Sequence, residues 1–218
     1  MGRRLARLPL SGSRSPRLGR SLRSRRMRSA PPTQDPVTAS LGSGACEQTD
    51  RTGRLGSVTE HIRPAVAADV DAMTALASLR RSQYARYQPM FWRPAADAGQ
   101  IQRPYLARLI EDQDVITLVS EESGAVTGFL IAQLASAPPV YDPGGLTCDI
   151  DDFVVAPGRW ATTGVQLLRT AIEHAAERGA IQAVVVTAHL DQDKREALRL
   201  CGLSIASEWW VTSSSPGH

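Results

Sequence analysis

Three aspartates fall inside one apolar run: Asp149, Asp151 and Asp152 interrupt Leu146-Thr147-Cys148 and Ile150, just ahead of Phe153-Val154-Val155. The β-branched content predicts a strand over Leu146–Val155. Its alternation would set Asp149, Asp151 and Phe153 on one face and Ile150, Asp152 and Val154 on the other. Carboxylates on an interior strand are costly unless each has a partner or a task. The task open to them is to take a proton or to hold a cation. The plain alternative is that Asp149 sits in water near a strand edge and Asp152 pairs with an arginine.

A second element follows directly. Val155-Ala156-Pro157 closes the strand, Arg159-Trp160-Ala161-Thr162-Thr163-Gly164 makes a turn, and a helix is expected over Gly164–Arg178 with Val165, Leu167, Leu168, Ile172 and Ala175 apolar. The start of that helix is the predicted anion site, because its first N–H groups lack intrahelical acceptors and the helix dipole favours negative charge there. The competing reading is a strand-to-helix turn in which Gly164 only relieves crowding. Aromatic residues supply a third feature. Of 11 in the chain, Tyr84, Tyr87, Phe91 and Trp92 stand together, Tyr141 lies in a Pro-rich loop, and Trp209-Trp210 would point to opposite faces of a late strand. That opposition makes at least one of the pair a core or dimer contact.

The elements that must position these residues read in order. His61–Ala65 is a short strand, and Val70, Met73, Leu76 and Leu79 mark an amphipathic helix by their i, i+3 spacing. A second helix carries Ile101, Tyr105, Leu106 and Leu109-Ile110. Val115–Ser120 and Val126–Leu134 are strands around the turn Glu121–Gly124. After the loop Ala137–Gly145 comes the aspartate strand, then the helix from Gly164, a buried strand Ile181–Ala188, a short helix Asp193–Cys201 and a last strand Leu203–Thr212. The order β-α-α-β-β-β-α-β-α-β implies a layered α/β fold: a mixed, mostly antiparallel central sheet with helices on both faces.

Charge divides the 218-residue chain in two. Residues 1–57 hold 12 Arg and three acids, a net +9, so residues 58–218 sum to −6 although the whole chain is +3. An acidic folding unit argues against specific nucleic-acid binding. The first segment has no aromatic residue and no sustained period, and disorder is expected of it; a basic tail could touch nucleic acid only non-specifically. It resembles a targeting segment in its Arg and Ser and its lack of acids before Asp35, but an over-extended start is the simpler reading. Residues 58–218 are then the single working domain. The uncharged stretch Ala125–Tyr141 is too polar to span a membrane. Cys46, Cys148 and Cys201 form no pair or metal-ligand cluster, which fits a reducing, cytoplasmic setting with no metal. Cys148 and Cys201 read as small core residues, and His189 as structural.

On these residues the chain resembles the GNAT superfamily of N-acetyltransferases over about residues 60–212. The family's pyrophosphate loop, R/Q-x-x-G-x-G/A after a strand ending in apolar-x-Pro, is matched by Arg159 and Gly164 and departed from at Thr162, which stands at the first glycine. The resemblance implies acetyl-CoA as co-substrate, with Arg159, Thr162, Thr163, Gly164 and Asp191 beside it and the backbone of Phe153, Val154 and Val155 polarising the thioester. It implies Asp151 and Asp152 as base or amine-binding groups, with Asp149 third, and Tyr84, Tyr87, Phe91, Trp92 and Tyr141 as acceptor walls. The family's proton-donating Tyr is replaced by Leu198; Tyr84, Tyr87 or Tyr141 could supply the proton from elsewhere, and a thiolate leaves readily unassisted. The implied activity is direct acetyl transfer to an amine of a small molecule or protein, with a homodimer possible. The alternative is a catalytically silent acyl-CoA-binding or interaction module. For the first segment the expectation is checked by mass spectrometry of the native protein: an N-terminus near Val58 is expected, and a peptide from residues 1–50 recovered from cells would refute it.

Overall fold

Strand-forming runs rich in Val, Ile, Leu and Phe pair in chain order in the computed structural model, which describes residues 60–214; the segment 1–57 lies outside the described residues. The five strands β1 (His61–Pro64), β2 (Val115–Glu122), β3 (Ala125–Ala135), β4 (Leu146–Val155) and β5 (Ala180–Val185) lie side by side in the order β1-β2-β3-β4-β5. All neighbours are antiparallel except β4 and β5, which are parallel. The β2–β3 hairpin turns at Ser123-Gly124, both with positive φ (52° and 79°), the geometry that suits the twist of a two-residue hairpin. A parallel β4–β5 pair cannot be joined by a hairpin, and the crossover helix α3 (Val165–Glu177) supplies the connection.

Two cores form, one on each face of the sheet. Helices α1 (Val70–Tyr87) and α2 (Ala98–Glu111) bring Met73, Leu76, Ala77, Leu106 and Leu109 against Val119, Phe129, Ile131 and Val154. On the opposite face α3 and α4 (Gln192–Leu200) bring Leu167, Leu168, Ala171 and Leu198 against Leu118, Leu130, Ile150, Phe153 and Val155. Fully buried side chains such as Phe129, Leu130 and Phe153 each contribute about 1.5–3 kcal/mol by transfer out of water. No helix among the described residues is long and apolar enough to cross a membrane.

The alternation expected along β4 does not hold. Cys148 and Ile150 enter the α3/α4 core, and so do Phe153 and Val155, while Val154 enters the other core. Opposite, β3 steps from Ala132, paired with Ile150, to Leu130, paired with Phe153. Ile131 of β3 thus faces two residues of β4, so Asp151-Asp152 form a β-bulge. Phe153 therefore lies on the face of Ile150 rather than that of Asp151, which corrects the sequence expectation.

Two further expectations fail at the sheet edge. Strand β5 is not buried: Ile181 and Val184 remain 54% and 44% exposed, because β5 is the outermost strand. Residues 203–214 form no strand. Strand propensity expresses packing on a partner rather than a backbone preference, and a β-rich segment without one stays irregular.

Gly128 marks where α3 is held tightest to the sheet. A Cβ there would come within 2.9 Å of Val155 Cγ1, 3.0 Å of Leu167 Cδ1 and 3.1 Å of Thr163 Cγ2. Gly128→Ala is expected to destabilise the protein by about 1–3 kcal/mol through overpacking, read as a lower urea midpoint; an unchanged midpoint would show slack between β3 and α3.

Candidate active site

The bulge opens β4 toward the last turns of α1, where two arginines follow each other. The Arg80 guanidinium donates to the Phe153 carbonyl (2.9 Å) and the Asp151 carbonyl (3.4 Å), and lies 4.8 Å from the centre of the Tyr84 ring. Arg81 is half-buried; its burial lowers its basicity, and the charge of Asp152 opposes that effect. The Asp151 carboxyl is pushed above the usual carboxylate range by burial and then by the Asp152 charge, with Arg80 pulling the other way. Burial raises Asp149 as well. The structure thus brings Asp149, Asp151 and Asp152 into one charged surface with Arg80 and Arg81.

Below the bulge β4 and β5 part. Their last paired residues are Ile150 and Val185, and Val186 N–H still reaches the Ile150 carbonyl at 3.2 Å. The fork beyond is filled by Lys194 from the first turn of α4. Its side chain is fully buried, and Nζ donates to the Val186 carbonyl (2.9 Å) and the Phe153 carbonyl (3.2 Å), with the Phe153 and Trp160 rings 5.0 and 5.5 Å away. Asp191 caps α4 by accepting the Lys194 backbone N–H at 3.4 Å, and its Oδ2 accepts the Tyr84 hydroxyl at 2.8 Å. Tyr84 is itself buried, which raises its phenol above its ordinary value.

Beside the fork, the turn expected to hold an anion is a π-helical turn, Trp160–Gly164, running into α3. Arg159 is ion-paired to Glu122 and stands 3.9 Å from Glu60. The Glu60 carboxylate also accepts the hydroxyls of Thr163, Ser120 (2.8 Å) and Thr127 (3.4 Å). Burial pushes Glu60 up, but these donors and Arg159 outweigh it and hold the group below its ordinary value. Thr163 is buried with its hydroxyl committed to Glu60, whereas Thr162 is exposed. A Cβ on Gly164 would lie 2.7 Å from Trp160 Cε3, so this glycine makes room for an indole. Relief of crowding is therefore one role of Gly164.

Tyr84, Tyr87, Phe91 and Trp92 form one aromatic group at the end of α1: Trp92 meets Tyr84 edge-on at 5.1 Å and Phe91 at 4.7 Å, and Tyr87 lies 5.8 Å from Tyr84. Tyr141 stands apart in the β3–β4 loop, 71% exposed. Leu198 is buried in the α3/α4 core, so an apolar contact replaces any proton donor at that position. Burial pushes the Cys148 thiol up to about 11 and raises Cys201, as befits core residues rather than nucleophiles. Among the described residues no three His, Cys, Asp or Glu converge as a metal site requires.

Sequence reasoning missed Arg80, Arg81, Glu60, Trp160 and Lys194. Only Lys194 carried a signal: it is the single lysine among 25 basic residues, and it opens a helix just after Asp191. Burial, and after it the Arg80 charge, holds the Lys194 amine well below its ordinary value. An unfolded chain keeps that proton up to about pH 10.4, so the unfolded state binds more protons and folding stability rises with pH toward that value. Lys194→Met removes the titration and leaves the Val186 carbonyl without its donor, at a cost of about 1–3 kcal/mol. Urea unfolding from pH 7 to 10 is expected to show wild type pulling further ahead of the variant as pH rises; parallel profiles would refute the depressed amine.

No family model matches the sequence, and no curated protein matches it. Solved structures do. A predicted acetyltransferase from Clostridium acetobutylicum, crystallised with acetyl-CoA, aligns over 71% of this chain and 96% of its own at 17% identity and a TM-score of 0.55. A GCN5-related N-acetyltransferase from Ralstonia eutropha JMP134 aligns over 72% and 100% at 20% identity and a TM-score of 0.55. A transcriptional regulator from Bacillus halodurans C-125 aligns over 71% and 99% at 19% identity and a TM-score of 0.54. With a mixed five-stranded sheet, helices on both faces and these structural matches, the chain has a GNAT-like fold.

Proposed function

We propose that this protein is an acetyl-CoA-dependent N-acetyltransferase that moves an acetyl group directly from the thioester sulfur to an amine of a small molecule or protein. The observation that carries this reading is the β4 bulge, which presents Asp151 with a raised pKa beside Asp152 at the parting of β4 and β5. The thioester supplies an activated acyl group with a good leaving group. The acids attract the cationic form of the acceptor, and Asp151 takes its proton. A carboxylate shifted upward is a better acceptor near neutral pH than an ordinary one. Backbone N–H groups of Phe153, Val154 and Val155, just past the bulge, are the donors for the developing oxyanion. Arg159, Thr162 and the start of α3 receive the phosphates, Asp191 borders the fork, and the group around Tyr84, Tyr87, Phe91 and Trp92 walls the acceptor side, with Tyr141 a separate acceptor contact from the β3–β4 loop. The thiolate departs without an acid at Leu198.

A second reading has its own observation. Lys194 and Trp160 fill the fork, and Arg159 is already paired with Glu122 and Glu60, an arrangement suited to a catalytically silent module that keeps the fold. Calorimetry with acetyl-CoA and thiol release across a panel of amines separate the two. Binding with turnover is expected, and Asp151→Asn is expected to lower kcat by about 100-fold or more while leaving acetyl-CoA affinity unchanged. Wild-type activity should fall as pH drops through the raised Asp151 pKa, and the variant should lose that limb. Binding without turnover on any amine would establish the silent module, and no binding would overturn both readings.

A further inference from the structure

The β4 bulge gathers charges of both signs that do not pair with each other. Asp151 and Asp152 lie on it, Arg80 reaches it from α1, and the charge of Asp152 is felt at Arg81. Among the described residues the ion pairs join other side chains, and neither arginine takes part in one. Arg80 is held by the Phe153 and Asp151 carbonyls and Arg81 by the side-chain oxygen of Gln102, which fixes both beside the acids rather than on them. A guanidinium has more N–H donors than these bonds use, so each arginine keeps some for a further acceptor. A plain cation brought to Asp151 would meet two guanidiniums, and a plain anion would meet two carboxylates. A ligand with one charge of each sign on neighbouring atoms is attracted by both pairs.

We propose that the acceptor is a free α-amino acid with an apolar or aromatic side chain, its amine held by Asp151 and Asp152 and its carboxylate by Arg80 and Arg81. This rests on the transferase reading above. Arg80 lies on the carbonyl of Asp151 itself, so the two charged groups of the ligand must be close neighbours, as they are on one Cα. A carboxylate also suits the planar fork of a guanidinium. The Tyr84 ring, 4.8 Å from the Arg80 guanidinium, begins the aromatic group that continues through Trp92 and Phe91, which is where the side chain of the acceptor would lie. In the transfer the amine nitrogen bonds to the acetyl carbon, the C–S bond breaks with its electron pair going to sulfur, and the proton of the amine goes to Asp151. The N-acetyl amino acid has lost the positive charge that the two acids hold, which favours its release.

The test is thiol release from acetyl-CoA by the full chain, with the common L-amino acids as acceptors and matched compounds that lack the carboxylate: L-phenylalaninamide, 2-phenylethylamine and L-methioninamide. Free phenylalanine or methionine is expected to exceed its counterparts by about 10- to 100-fold in kcat/KM, the worth of hydrogen bonds to a charged group. Arg81→Gln is expected to bring that ratio close to one by raising KM for the amino acid. The comparison within the wild-type protein keeps the test decisive if the variant fails to fold. Amides and plain amines accepted as well as the amino acids would overturn the proposal and leave the transferase reading standing. A variant that keeps the ratio but binds acetyl-CoA more weakly in calorimetry would overturn it too, since Arg81 would then serve the phosphates. Acetyl-CoA bound without transfer to any acceptor would overturn both.

Discussion

A carbonyl that loses its strand partner must find another donor, and in this protein that requirement falls at the fork between β4 and β5. Beyond Ile150 and Val186 the two strands separate, leaving the Phe153 and Val186 carbonyls facing a buried space. Unsatisfied, each would cost about 1–3 kcal/mol. Lys194 supplies both, and Arg80 donates to Phe153 from the other side. The lysine itself must be stripped of water for this, and the depressed basicity of its amine records that cost. The Phe153 and Trp160 rings meet edge-on at 5.0 Å and close the space around it.

Several separate features follow from that arrangement. The bulge at Asp151-Asp152 returns Phe153 to the α3/α4 face, where its ring can pack on Trp160 and its carbonyl can reach Lys194. The same bulge leaves Asp151 facing α1, so one irregularity serves the core on one side and presents the acids on the other. Trp160 in turn requires glycine at 164, and the π-helical turn around it sets Thr163 on Glu60. Glu60 also gathers Ser120 and Thr127, tying the start of α3 to β2 and β3. Space that a more open loop would leave for a ligand is here shared with side chains of the chain itself. A fold of this kind hosts many functions, so the proposed chemistry rests on Asp151 and its neighbours rather than on architecture.

What could be read from the sequence was whatever a local pattern encodes. The i, i+3 spacing of α1, the β-branched runs of β2 and β3, the turn before β3 and the helices after Gly164 and Asp191 all depend on neighbours a few residues away, and each formed close to where it was expected. The three aspartates of β4 were visible for the same reason, as was the motif from Arg159 to Gly164. Only the tertiary structure decided what lies opposite them. The bulge depends on how β3 is registered against β4, which inverts the face of Phe153. The role of Lys194 depends on two carbonyls 8 and 41 residues away, and the commitment of Thr163 and Arg159 on a glutamate before β1. Residues 203–212 show the limit most directly: their alternation marks a strand, but a strand exists only where a partner offers its edge. Local propensity selected the elements, and long-range pairing and desolvation chose which faces, charges and edges they were left with.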